Sequence, residues 1–169
     1  MTEPVTKPVI IKICGLTEAR SLDAALGAGA DMVGFVFFPP SPRHLDAATA
    51  RVLAAQVGSR AQKVALSVDA DDALLAASIE ALRPDLLQLH GKESPDRVLQ
   101  IKARFGLPVM KAIAVERADD LARIADYRGV ADRILFDARA PKDATRPGGL
   151  GKSFDWHLLD HVEPTLDYM

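Results

Sequence analysis

The sequence predicts an α/β fold in which strands and helices alternate around a parallel sheet. Short, nearly continuous apolar runs recur at intervals of 23 to 31 residues and begin near Val9, Met32, Lys63, Leu86, Val109 and Arg133. Such runs are typical of strands that are covered on both faces, and helical patterns lie between them. This alternation leaves two architectures open, a closed (β/α)8 barrel or an open doubly wound sheet of the flavodoxin type. The chain length fits the second, but the steady spacing favours a TIM-type barrel with about six βα units in this chain.

The helical patterns have clear starts and stops. They cover about residues 18–26, 46–57, 71–83, 95–105 and 119–127. Thr17 is placed to cap the first helix, and Ser94 is an N-cap that is followed by Pro95 at the first helical position. Gly58 and Gly106 follow the ends of two helices, as expected for C-terminal caps.

Composition predicts one globular domain that spans residues 1–169, since 49% of the residues are hydrophobic and 26% are charged. A formal net charge of −2 gives no reason to expect nucleic acid or a membrane surface as a partner. A single cysteine excludes an internal disulfide and favours the cytoplasm. The first residues lack the apolar core of a signal peptide, and no apolar stretch approaches the roughly 18 residues that a transmembrane helix needs.

Cys14 ends the first predicted strand, and Gly15 lets the backbone turn there. By the two-residue period of a strand, Lys12 points to the same side, where its charge favours a thiolate. A thiolate at this position is a candidate nucleophile or proton acceptor. The alternative is a buried cysteine that packs as a small hydrophobe.

Arg43 lies in the loop after the second strand, which three prolines stiffen. A guanidinium held over the strand ends suits a carboxylate or a phosphate, because its planar fork binds either group bidentately. The alternative is an ordinary surface arginine. His44, the next residue, is interpreted as structural.

Polar residues also follow the fourth and sixth strands. Gln88 and His90 share one face of their strand, where they contact a ligand or form a packing pair. Asp137 follows three apolar residues and either acts as a general acid or caps a loop. The four histidines and Cys14 show no metal-ligand spacing, so no metal site is predicted.

Residues 146–153 form the most glycine-rich stretch. It ends like a Walker A loop, but Arg146 stands where that motif requires glycine. Gly149 and Gly151 either let backbone amides wrap a substrate or belong to a flexible linker. Both interpretations stay open at the level of sequence.

Five motifs in order resemble the phosphoribosylanthranilate isomerase family of tryptophan biosynthesis. They are Lys-Ile-Cys-Gly-Leu-Thr, Pro-Pro-Ser-Pro-Arg, Gln-Leu-His-Gly, Phe-Asp-Ala-Arg and Gly-Gly-Leu-Gly-Lys-Ser-Phe-Asp-Trp, at 12–17, 39–43, 88–91, 136–139 and 148–156. The resemblance implies a (β/α)8 barrel without cofactor or metal. It also implies a small phosphorylated substrate. The protein is expected to be a monomer or a homodimer, since no interface signature stands out in the sequence.

The resemblance implies an Amadori rearrangement of N-(5'-phosphoribosyl)anthranilate to the carboxyphenylamino-deoxyribulose phosphate. Asp137 matches the general acid that opens the ribose ring, and Cys14 matches the general base that removes the proton from the adjacent sugar carbon. Arg43 matches the residue that binds the anthranilate carboxylate.

The sequence departs from the family in having about six units where the barrel needs eight. The last two units are expected to be missing. The loops after strands seven and eight commonly hold the substrate phosphate in such barrels, so no residue is assigned to the phosphate. Two other functions stay open: an inactive protein that binds anthranilate or a phosphosugar, and a flavodoxin-like thiol protein that uses Cys14.

Overall fold

Among the residues that the structure describes, the sheet has seven strands that follow one another in chain order, and every neighbouring pair is parallel. A computed structural model describes residues 9–141, 143–144, 148–162 and 167–169. The strands are β1 Lys12–Cys14, β2 Met32–Phe37, β3 Gln62–Ser67, β4 Leu86–Leu89, β5 Val109–Val115, β6 Arg133–Ala138 and β7 Asp167–Tyr168. The α-helices are α1 Ala19–Gly27, α2 Ala47–Val57, α3 Asp72–Leu82 and α4 Pro95–Phe105. Two 3₁₀ helices follow, η1 Ala118–Tyr127 and η2 Trp156–His161.

This strand order excludes the flavodoxin-like alternative, because a doubly wound sheet reverses its order at a switch point. The sheet is instead curled. Four residues from β2 to β5 pack in one apolar cluster on its concave face, namely Met32, Val64, Leu86 and Met110. A contact of 3.8 Å between Arg133 Nη1 and Met32 Sδ joins the start of β6 to the start of β2. The fold is therefore of the TIM-barrel type.

The strands begin close to where the sequence predicts them, with two differences. β1 begins at Lys12 and not near Val9, whose side chain is 84% exposed. The sheet also has a seventh strand, in place of the six predicted, because residues Asp167 and Tyr168 pair with Arg133 and Ile134 of β6. The intervening residues 163–166 lie outside the described part of the chain.

The helix starts are fixed by side-chain caps. The Asp46, Asp71 and Ser94 side chains accept hydrogen bonds from backbone N–H groups three residues later, at 2.8, 2.8 and 3.2 Å. Ser94 therefore caps α4 as predicted. The prediction for Thr17 is wrong, because the N-cap position of α1 is Glu18, which makes no side-chain cap bond.

The segment after β5 is a 3₁₀ helix, where the sequence predicts a helix over 119–127. Its apolar residues Leu121, Ile124 and Tyr127 recur every third residue and pack on the core cluster. A spacing of three residues matches the 3₁₀ repeat, in which residues i and i+3 are aligned. None of the described helices is long and apolar enough to cross a membrane.

Candidate active site

A cavity of about 250 Å³ opens at the carboxyl ends of the strands. In a barrel of this type that end carries the catalytic loops. Six of the predicted site residues line it, namely Cys14, Arg43, Gln88, His90, Asp137 and Gly149. Gly151 is not among the described residues that line the cavity. These predicted residues therefore lie together in the structure, although they come from four different strand ends.

Cys14 lies at the end of β1 with its thiol toward the cavity, and Lys12 lines the same wall, as the strand period predicts. Gly34 of β2 lies directly beside it in the sheet. A Cβ atom at Gly34 would lie 2.6 Å from Cys14 Sγ, which is too close for any side chain. The glycine therefore makes the space that the thiol occupies. The sequence does not reveal this role of Gly34, because a glycine inside a strand can equally mark a bulge, a bend or a close approach of another backbone.

Arg43 reaches the cavity from the proline-rich loop after β2. The Ser41 hydroxyl accepts a hydrogen bond from the Arg43 backbone N–H at 3.2 Å, and Ser41 itself is buried. The guanidinium lies over Gly15, where a Cβ atom would be 2.6 Å from Arg43 Cδ, and it also contacts Gly149. Gly15 has a φ of +84°, so it makes the predicted turn. The arginine is thus held between two glycines at the rim.

Gln88, His90 and Asp137 form a hydrogen-bonded chain across the cavity wall. Gln88 Nε2 lies 2.8 Å from His90 Nδ1, and His90 Nε2 lies 3.0 Å from Asp137 Oδ2. With the amide nitrogen facing the ring, Nδ1 accepts and Nε2–H donates to the carboxylate. The other Asp137 oxygen accepts a hydrogen bond from the Ala138 backbone N–H at 3.0 Å. The imidazole therefore contacts the carboxylate that the sequence predicts as an acid.

Gly148 covers one side of this hydrogen-bonded chain of side chains. A Cβ atom at Gly148 would lie 2.5 Å from Asp137 Oδ2 and 2.6 Å from His90 Nε2. The backbone can approach the two groups this closely only because no side chain is present. Arg146, where the Walker A comparison fails, lies outside the described residues. Across the part of the chain that the structure describes, no group of three or more His, Cys, Asp and Glu side chains could hold a metal ion.

The family model for N-(5'-phosphoribosyl)anthranilate (PRA) isomerase matches residues 11–167. The chain belongs to the phosphoribosylanthranilate isomerase family. Its function is accordingly the isomerisation of N-(5'-phosphoribosyl)anthranilate in tryptophan biosynthesis. The N-(5'-phosphoribosyl)anthranilate isomerase of Nitrobacter hamburgensis is 65% identical over 161 residues, which are 95% of this chain and 72% of that relative.

Solved structures of the family agree with the fold. The phosphoribosyl anthranilate isomerase of Thermotoga maritima superposes with a TM-score of 0.78 at 32% identity, over 90% of this chain and 70% of that one. A second isomerase structure contains reduced 1-(o-carboxyphenylamino)-1-deoxyribulose 5-phosphate. It superposes with a TM-score of 0.71 at 30% identity, over 78% of this chain and 66% of that one.

Proposed function

We propose that this isomerase performs its Amadori rearrangement in the cavity at the strand ends, with Asp137 as general acid and Cys14 as general base. The observation that carries the proposal is that β1 and β6 place these two groups on the walls of one cavity. The reaction needs one proton donor and one proton acceptor at neighbouring substrate atoms, and no redox partner. Both groups are supplied by the chain itself.

In the first step, Asp137 starts in its protonated form and gives that proton to the ribose ring oxygen, and the carboxylate that remains accepts the hydrogen bonds from the His90 ring and the Ala138 N–H. The bond between that oxygen and the anomeric carbon breaks, and the anthranilate nitrogen supplies the electron pair that forms the Schiff base. His90 contacts Asp137 Oδ2, and the Ala138 N–H contacts Oδ1, so the carboxyl is fixed at both oxygens. A fixed donor reduces the entropic cost of reaching the transition state.

In the second step, the Cys14 thiolate removes the proton from the sugar carbon next to the Schiff base. The electrons of that C–H bond form the enolamine, which tautomerises to the ketone. Lys12 lies on the same wall of the cavity as Cys14. Gly34 keeps the space beside the sulfur open.

Arg43 is proposed to bind the anthranilate carboxylate. A guanidinium and a carboxylate can form two parallel hydrogen bonds, which orient the aromatic ring as well as holding it. Gln88, His90 and Gly149 are proposed to line the substrate, with His90 acting mainly through its contact with Asp137. The role that the sequence predicts for Gly151 has no contact in the described cavity to support it.

The first experiment is the isomerase activity of these 169 residues, followed by the loss of phosphoribosylanthranilate fluorescence. Turnover is expected in this chain, and the Cys14→Ala and Asp137→Asn variants are each expected to lose it. Near-normal rates in either variant would contradict the assigned role. Substrate binding without turnover in the unmodified chain would instead favour the inactive binder.

We propose a small phosphorylated substrate as the only ligand, a cytoplasmic location, and a monomer or a homodimer. The Thermotoga maritima relative is described as dimeric. Light scattering during gel filtration of this chain distinguishes the two oligomeric states.

A further inference from the structure

Lys111 is a buried charge that the proposed reaction does not use. It lies on β5 with an exposed fraction of 0%, and it is not among the described residues that line the cavity. Its ammonium group donates to three backbone carbonyls, those of Leu89 at 3.2 Å, Gly91 at 2.8 Å and Ala112 at 3.0 Å. Two of these carbonyls belong to the residues on either side of His90. The lysine therefore holds the backbone that carries the histidine.

Glu93 is the partner of this lysine. Its Oε2 atom lies 3.1 Å from Lys111 Nζ, and its side chain is 2% exposed. The same carboxylate accepts hydrogen bonds from the backbone N–H groups of Gly91 and of Asp69. The Tyr127 hydroxyl donates to the Glu93 carbonyl at 2.7 Å. Glu93 thus ties the loop after β4 to the loop after β3 and to η1.

These contacts converge on the segment that presents His90 to Asp137. The His90 backbone N–H donates to the Ser67 carbonyl at 2.9 Å, which fixes the residue on the side of β3. Lys111 and Glu93 fix the residues before and after it. The position of the imidazole therefore depends on the buried ion pair, although neither charged group touches the cavity.

A buried ion pair is a poor device for stability. Desolvating both charges costs several kcal/mol, and apolar residues of similar volume often replace such pairs without loss. Burial lowers the pKa of Lys111, and the nearby Glu93 carboxylate opposes that shift. Stability alone therefore does not explain the pair. Its hydrogen bonds to the residues that flank His90 indicate that it holds this segment in place.

We propose that Lys111 and Glu93 are positioning residues of the isomerase, which hold the loop after β4 so that His90 keeps Asp137 oriented for proton transfer. The proposal rests on the role of Asp137 proposed above. It assigns the pair an effect on turnover that is separate from its effect on folding.

The test is the double variant Lys111→Met/Glu93→Gln, which removes both charges and leaves none unpaired. We expect a folded protein whose kcat falls at least about tenfold while KM changes less than threefold, because a misplaced catalytic group lowers turnover more than binding. The ¹⁵N signals of the His90 ring are expected to shift from those of one fixed tautomer toward the average of two. A purely structural role would lower Tm and leave both readouts unchanged.

The matched control is Lys102→Met/Asp132→Asn. Lys102 Nζ also contacts a carboxylate and a backbone carbonyl, Asp132 Oδ1 at 2.8 Å and Val130 O at 3.1 Å, but it lies away from the cavity. This variant is expected to keep wild-type kcat.

Glu93→Asp keeps both charges and shortens the carboxylate by one methylene, so it tests the same idea if the double variant does not fold. The proposal would be overturned if a folded Lys111→Met/Glu93→Gln or Glu93→Asp protein had wild-type kcat and unchanged His90 signals. Asp137→Asn in the same assay separates the two proposals. If Asp137→Asn keeps activity, the general acid has been assigned to the wrong residue. The effect of the Lys111–Glu93 ion pair on the position of His90 can still be measured from the His90 signals in that case.

Discussion

His90 Nε2 and Asp137 Oδ2 lie 3.0 Å apart, although the two residues are 47 positions apart in the chain and His90 follows β4 whereas Asp137 lies in β6. Gln88 fixes the far side of the imidazole through a contact of 2.8 Å to Nδ1. A ring held at both nitrogens has one preferred tautomer. The contact links the end of β4 to the acid on β6, so the geometry of the acid depends on a second strand.

The first prediction concerns this contact. His90→Ala is expected to lower kcat by about 10²-fold with a smaller change in KM, because the Asp137 carboxyl loses the partner that orients it. Steady-state kinetics with the fluorescent substrate measures both constants. His157→Ala is the control, since the side chain of that histidine is 89% exposed and outside the cavity. A folded His90→Ala protein with wild-type kcat would show that the contact has no part in turnover.

The second prediction concerns substrate binding by Arg43. Arg43→Ala is expected to raise KM by about 10- to 150-fold, the change that follows when a hydrogen bond to a charged group worth about 1.5–3 kcal/mol is lost. The kcat is expected to change less. Arg43→Lys keeps the charge but loses the planar fork, so it should recover only part of the affinity. An unchanged KM in Arg43→Ala would exclude the arginine as the carboxylate ligand.

The sequence predicted those features of the site that depend on local pattern. The positions of Cys14 and Asp137 follow from the end of an apolar run, and the shared face of Gln88 and His90 follows from the two-residue period of a strand. The barrel architecture follows from the regular spacing of the strands. These inferences need no knowledge of which residues meet across the sheet.

The parts that the sequence missed depend on contacts between distant segments. Gly34 matters because Cys14 lies beside it on the next strand, and Gly148 matters because the chain returns over His90. Lys111 stands within an apolar run, and a charged residue in such a run indicates that its charge is buried and paired. The sequence offered no means of choosing Glu93 as that partner.

The third prediction tests the space beside the thiol. Gly34→Ala is expected to abolish most of the activity, because the new Cβ would lie 2.6 Å from Cys14 Sγ and must displace the sulfur or the strand. Gly27→Ala is the matched control, since a Cβ at that helical position meets nothing within 4 Å. Both variants are compared for kcat and for the rate at which Cys14 reacts with a thiol reagent. Equal activity in the two variants would mean that the thiol position is not critical.

The fourth prediction concerns the loop after β6, where Arg139 binds the Asp120 carboxylate. Burial alone would raise the pKa of Asp120, but hydrogen bonds from the Arg117 and Glu116 backbone N–H groups and the charge of Arg139 outweigh it. The pKa of Asp120 therefore lies below its ordinary value of 3.8. Because the folded state favours the ionised form, the carboxylate stabilises the fold above that value, and this contribution is lost as the pH falls through the lower folded pKa.

Asp120→Asn is accordingly expected to lower Tm by about 2–4 °C at pH 7, the shift that a loss near 1 kcal/mol gives in a domain of this size. The difference from the unmodified chain should narrow as the pH falls below 3.8. Thermal unfolding followed by circular dichroism between pH 7 and pH 3 measures it. Asp119→Asn, a change at the exposed neighbouring position, should leave Tm nearly unchanged at pH 7. A difference for Asp120→Asn that stays constant down to pH 3 would mean that the charge of this carboxylate does not stabilise the loop beside Asp137.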